Sequence, residues 1–161
     1  MTSNRHEQLA ATIADIRAQE KRLVLPGFTF DDAWAIGTRL VDLGRERGLP
    51  ITIRIVRGDQ VLFHAALPGT SADNDMWAQR KANVVRRFGQ SSFLVGLEHE
   101  QDGTDFGELP WNDGLTYAAH GGSFPAIVGG VGVVGSITVS GLPQTDDHAL
   151  VVEALEQHLG V

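Results

Sequence analysis

Apolar residues fall along the chain at two spacings. Leu9, Ile13 and Ile16 recur at the helical interval, with Arg5, Glu7, Asp15 and Arg17 mostly on other faces, so residues 4–20 read as an amphipathic helix. Leu23-Val24-Leu25 is a short apolar run stopped by Pro26-Gly27 and reads as a short strand. Thr29 with Asp32 three residues on has the form of a capping box. It opens a helix with Ala33, Ile36, Leu40 and Leu43 on one face, ended by Gly48 and Pro50. Strict alternation then takes over. Ile51, Ile53 and Ile55 alternate with Thr52, Arg54 and Val56, and Val61, Phe63 and Ala65 with Leu62, His64 and Ala66. With Gly58-Asp59 between them, the two runs form a hairpin.

Asp73 can cap a helix that runs to about Phe88, and Ser91 to Glu98 is helical or turn-like. Residues 99–118 are polar, acidic and glycine-bearing, the composition of a long surface loop. Ser123 to Val128 and Val133 to Ser140 read as the last two strands, joined by a glycine-rich turn. Thr145 caps a final helix carrying Leu150, Val151, Ala154, Leu155 and Leu159. The order α-β-α-β-β-α-(α)-β-β-α predicts an α+β sandwich, a single domain over residues 1–161, with five strands in a mostly antiparallel sheet and helices packed on it.

With 161 residues, 42% of them hydrophobic, the chain is large enough for a packed core and too apolar for global disorder or a coiled coil. No apolar run reaches the roughly 18 residues of a membrane helix. Residues 1–17 lack the apolar segment of a secretory signal, so the expectation is a cytoplasmic protein without a membrane partner. The absence of cysteine excludes disulfides, Cys-ligated metals and thiol catalysis.

The net charge of −7 argues against a nucleic-acid partner. All 13 Lys and Arg lie between Arg5 and Arg87. Set against 10 acids in the first 87 residues they leave +3 there, while residues 88–161 carry 10 acids and no base. The C-terminal half also holds the most apolar stretch, Ala126 to Val139, so it is not an acidic tail. Either the halves interleave, base against acid, or the acidic half serves contacts between subunits.

Several motifs invite a functional reading and carry a plainer one beside it. Gly130-Val-Gly132-Val-Val-Gly135 spells G-x-G-x-x-G, but strand-like Ser136 to Ser140 follows where a dinucleotide site needs a helix. Arg57-Gly58-Asp59 spells an adhesion tripeptide and suits a hairpin turn. Glu98, Glu100, Asp102, Asp105 and Glu108 could attract a hard cation without matching an EF-hand loop. His64 reads as a hydrogen-bonded strand histidine. There is no Ser/His/Asp order, H-E-x-x-H or P-loop.

Two places remain. In the Asp73–Phe88 helix, Trp77, Lys81, Val84 and Phe88 share one face, and Arg80 and Arg87 flank it. Lysine in an apolar stripe is either an anion anchor at a pocket edge, with Arg80, or a snorkelling group paired with an acid from the C-terminal half. In His120-Gly121-Gly122-Ser123-Phe124-Pro125, an imidazole stands beside backbone that a ligand can approach closely. His120 is then an acid/base group or a metal or haem ligand, or else a loop histidine beside a tight turn.

The run from His120 to Pro125, then Gly129 to Leu142, then Asp146 to Leu155 resembles the C-terminal half of the GlcG/HbpS-like, or haem-degrading-domain, family. The helix from Asp75 to Phe88 is similar to the middle helix of a small cytosolic branch of that family, and the likeness extends over about Leu23 to Leu159. The resemblance implies a profilin-like three-layer α/β/α fold with a five-stranded antiparallel sheet, and homo-oligomers. It implies relatives that bind or break down haem, and others linked to cobalamin-related enzymes or small-acid metabolism. It brings no catalytic residue set with it.

Three functions follow as expectations. The first is binding of haem or another small anionic ligand, with His120 as ligand, Lys81 and Arg80 pairing with carboxylates, and Trp77, Gly121 and Gly122 completing the site. The second is a non-enzymatic oligomeric scaffold or adaptor. The third is an enzyme on a small carboxylate, with His120 as base and Lys81 as anchor.

Overall fold

The computed structural model describes residues 2–161. Its elements are α1 (Thr2–Arg22), α2 (Phe30–Arg47), β1 (Thr52–Arg57), β2 (Gln60–Ala66), α3 (Ala72–Phe88), α4 (Ser92–Gln101), a short 3-10 turn (Phe106–Glu108), β3 (Ser123–Val128), β4 (Gly132–Ser140) and α5 (Gln144–Leu159). The local signals account for most boundaries. Thr29 and Asp32 close a reciprocal capping box at the start of α2, and Gly48 ends that helix in the left-handed conformation. Two caps sit elsewhere than the sequence suggests. Helix α3 begins behind Ser71, whose backbone N–H donates to Asn74, so Asp73 lies in its first turn. Helix α5 is led by Pro143 rather than Thr145.

The sheet has four strands, in the order β2-β1-β4-β3, every neighbour antiparallel. The expected five-stranded sheet is therefore corrected to four. The Leu23–Leu25 run contributes one parallel bridge, Leu25 to Val128, made by Leu25 N–H to Ile127 O and Gly129 N–H to Leu25 O. Pro26, with no N–H and a fixed φ, stops the ladder there. The outer edge of β3 is thus covered at one end by Leu25, and Pro125 within it has no N–H. The outer edge of β2 has no strand beside it among the described residues.

Alternation gives the sheet two unlike faces. Ile53, Ile55, Phe124, Ala126, Ile137 and Val139 point into the main core, against Ile36 and Leu40 of α2 and Leu150, Val151 and Leu155 of α5. Fully burying each of the larger of these side chains contributes roughly 1.5–3 kcal/mol. The opposite face carries Thr52, Arg54, Ser123, Ser136, Thr138 and Ser140, paired across strands by register. Helix α3 covers this polar face, and Ser123 and Thr138 join their hydroxyls there at 2.8 Å. Two smaller cores lie outside: Ile13 and Ile16 of α1 meet Phe93, Leu94 and Leu97 of α4, and Val84, Val95 and Phe106 anchor the segment after α4.

That segment is not the solvated loop its polar composition suggests. An aromatic cluster holds it: Phe88, Phe106, Trp111 and Tyr117 stack edge to face, with the Arg87 guanidinium 3.7 Å over Trp111. The charge split resolves by interleaving. Arg5, Arg17, Arg22, Arg47 and Lys81 of the basic half each reach an acid of the C-terminal half: Glu100, Glu98, Glu156, Glu153 and Asp147.

Candidate functional site

The two singled-out places meet. Trp77 and Lys81 on successive turns of α3 share the wall of a cleft of about 310 Å³ with His120 and Gly121 ahead of β3, and with Gln144 and Asp147 of α5. His120 and Arg80 also border a hollow of about 530 Å³ under residues 99–119. His120 therefore stands between two openings.

Lys81 is 3% exposed. Its ammonium donates to Gly121 O, Val139 O and Asp147 Oδ2, each at 3.0 Å. Three protons meet three acceptors, so none is left for a ligand. Asp147 in turn accepts from the N–H groups of Gly141 and Leu142. Burial lowers the Lys81 pKa and raises that of Asp147, and their mutual attraction opposes both shifts. The pairing of Lys81 with a C-terminal acid, the plainer of its two readings, is what the geometry contains.

Gly121 and Gly122 serve the same arrangement. Both are buried. Gly122 has φ +137°, and a methyl group there would lie 2.6 Å from Lys81 Nζ and collide with Val139 O. A methyl at Gly121 would collide with Gln144 O. The missing side chains let the ammonium reach the backbone carbonyls. Only Gly121 borders the cleft.

Arg80 is half committed. Its Nη2 donates to Gly114 O and Tyr117 O, and its guanidinium lies 4.5 Å over the Trp77 ring. The Nε is buried without a partner. His120 differs from these. It is exposed, makes an edge-to-face contact with Trp77 at 5.7 Å, and has no hydrogen bond with another described residue. Partial desolvation first, then the cations Lys81 and Arg80, hold its pKa below the usual histidine range. At neutral pH it presents a neutral imidazole with a free lone pair.

The remaining candidates take plainer roles. Among the described residues no group of three His, Cys, Asp or Glu side chains is arranged to hold a metal ion. Gly58 and Asp59 form the β1–β2 turn and Gly130 the β3–β4 turn, with no helix after it. His64 Nε2 lies 2.6 Å from Asp75.

The fold and the cleft define a mixed α+β protein with one uncommitted histidine between two openings. Residues 28–156 match the model of the family described as haem degrading protein HbpS-like, and the chain belongs to that family. It is 58% identical to a UPF0303 protein of Streptomyces avermitilis over 148 residues, 92% of this chain and 91% of that one. It is 46% identical to a UPF0303 protein of Paraburkholderia xenovorans over 94% of this chain and 92% of that one. Among solved structures, the Ybr137w protein superposes with a TM-score of 0.83 at 31% identity, over 92% of this chain and 87% of that one. HbpS superposes at 0.65 and 19% identity, over 83% and 91%. The PduOC:heme complex superposes at 0.69 and 17%, over 80% and 93%. The last two likenesses speak for the fold alone. No helix among the described residues is long and apolar enough to cross a membrane.

Proposed function

We propose that the chain is a cytoplasmic, self-associating protein that binds haem or a similar planar, anion-bearing ligand at the Trp77–His120 cleft. The observation that carries this is the His120 imidazole: neutral, exposed and free of protein hydrogen bonds, at the junction of two openings. The description of the family, and a structural neighbour solved as a haem complex, support the ligand class.

The residues present fit such a group by offering one imidazole donor beside an aromatic wall. His120 would hold the iron, and Trp77 would offer its ring to the macrocycle. Arg80, over Trp77, would place a cation near the propionates. Lys81 and Asp147 act from behind: by tying Gly121 O and Val139 O to α3 and α5 they fix the backbone that carries His120. Haem, when bound, supplies an iron open to ligand exchange and redox change. The third function, an enzyme with Lys81 as anchor, loses that anchor to Asp147.

Titration of the purified protein with ferric haem tests the reading. A shifted Soret band in the wild type, lost in His120→Ala at unchanged thermal stability, is the expected result. No shift in the wild type, or the same shift in the variant, overturns it. The scaffold reading draws on exposed Phe30 and Trp34 on α2, 59% and 64% accessible. Size measurements at low and high salt test self-association, and a salt-independent monomer would refute it.

A further inference from the structure

On the polar side of the sheet, away from His120, a cavity of about 370 Å³ opens between α3 and the ends of β1 and β4. Arg54 lines it from β1. Its Nε is buried without a hydrogen-bond partner, and none of the ion pairs among the described residues includes it. The neighbouring charges are already matched. The one acid in the lining, Asp59, is held by Arg86 at 2.6 Å. His64, opposite Arg54 in register, is paired with Asp75. A half-buried guanidinium left over in this way is costly unless something completes it.

The rest of the wall suits an anion with an apolar end. Ser136 and Gln79 line the same cavity with a hydroxyl and an amide. Asn83 gives one of its two amide N–H groups to Thr116 O and keeps the other. Val56 and Ala82 supply apolar surface. A β-bulge adds more: Ala126 pairs Gly135 while Ile127 pairs Val133, so Val134 is an extra residue. Val134 packs against the main core, so past the bulge it is Val133 that brings an apolar side chain to the cavity, near the Gly89 cap of α3.

We propose that this cavity is a second binding site, which takes a small monocarboxylic acid with its carboxylate on Arg54 and its short aliphatic part against Val56, Ala82 and Val133. A single uncommitted guanidinium matches one carboxylate in its planar fork. A dianionic phosphate would call for a second cation, and Arg86 in the lining is shared with Asp59 in a largely solvated pair, so phosphate is the competitor that the test includes. The site does not depend on the haem reading, because it shares no residue with the Trp77–His120 cleft.

The test uses acetate, butyrate and isovalerate as probes at millimolar concentration, with isovaleramide as the neutral counterpart and inorganic phosphate as the competing anion. Ligand-observed NMR on the whole chain reads binding, and thermal unfolding without ligand reads stability. The expected result is saturable binding of butyrate or isovalerate but not of isovaleramide. Arg54→Met weakens it about tenfold or more, while His120→Ala leaves it unchanged. Arg54→Met is also expected to unfold at the same or a higher temperature than wild type, since it removes an uncompensated charge; a purely structural arginine would lower it. Failure of all three acids to bind overturns the proposal. So do equal binding of acid and amide, retention of binding in Arg54→Met, and phosphate binding more tightly than the acids.

Discussion

Lys81 carries a charge to a place that water does not reach, and its worth lies in what it joins. Removing one partner of such a pair strands the other, at a cost of about 3–5 kcal/mol. Lys81→Met is therefore expected to lower the urea-unfolding free energy by that much, with Asp147 left beneath α3. Gly122→Ala should cost a similar amount by a different route, since its methyl enters the space of the same ammonium at a positive φ; a variant within about 1 kcal/mol of wild type in the same assay would contradict both the contact and the strain. His120 makes a prediction about binding. Its pKa lies below the ordinary 6.5, and protonation blocks the lone pair, so haem affinity should persist below pH 6.5 and fall only in more acid solution. Spectroscopic titration from mildly acid to neutral pH reads this; a loss centred at or above 6.5 would count against it. Much of this centre was legible in the sequence as a lysine in an apolar stripe and a histidine before two glycines. What stayed hidden was which acid answers the lysine, because the partner lies 66 positions away and shares no local pattern.

Helix α1 is held by two groups that titrate in opposite senses. Glu20 on α1 accepts from Ser91 N–H, and burial raises its pKa to about 7. His148 on α5 touches Gln19 of α1, sits against Phe93 and Phe124, and is lowered by burial to about 4. As pH rises from 4.5 to 7 the unfolded chain loses the Glu20 proton and the folded one keeps it, so stability falls. As pH drops from 6.5 to 4 the unfolded chain protonates His148 and the folded one does not, so stability also falls, by on the order of 3 kcal/mol in full. Between about pH 4.5 and 6.5 the two trends oppose. Melting temperatures should be nearly flat there in the wild type, rise with pH in Glu20→Gln, and fall with pH in His148→Gln. Parallel slopes in all three proteins would reject the assignment. The helices themselves were readable because capping and periodicity are local. The fifth strand was not: an apolar tripeptide specifies extended backbone, but only its neighbours decide whether it gains a full ladder.

At the scale of the whole molecule, the charge split is a pattern of contacts between halves. Four of the five cross-half pairs are largely solvated and worth roughly 0.2–1 kcal/mol each. Raising salt should therefore lower the unfolding free energy by no more than about 1–4 kcal/mol, and Lys81–Asp147, shielded from ions, should not share in the loss. A salt-induced collapse of the fold would mean that these surface pairs carry more than their exposure allows. The same scale explains why Arg54 was missed. Alternation along β1 marked it as the outward, polar side, which is usually water. Its neighbours in register are Thr138 and His64, and the nearby strand positions are serine and threonine rather than lysine and glutamate. Small hydroxyl side chains across adjacent strands were the available sign that a helix would lie over that side.

The bridge at Leu25 and the proline in β3 have a corollary for stoichiometry. Between them they deny an incoming strand a continuous row of donors and acceptors on that flank, whereas β2 has no strand beside its outer edge among the described residues. A molecule with a single sticky border can zip to a twin across a two-fold axis, giving one eight-stranded ribbon, and then has nothing left with which to extend. Growth by strand addition would end at the pair, and any larger ring or shell would have to be built through other surfaces.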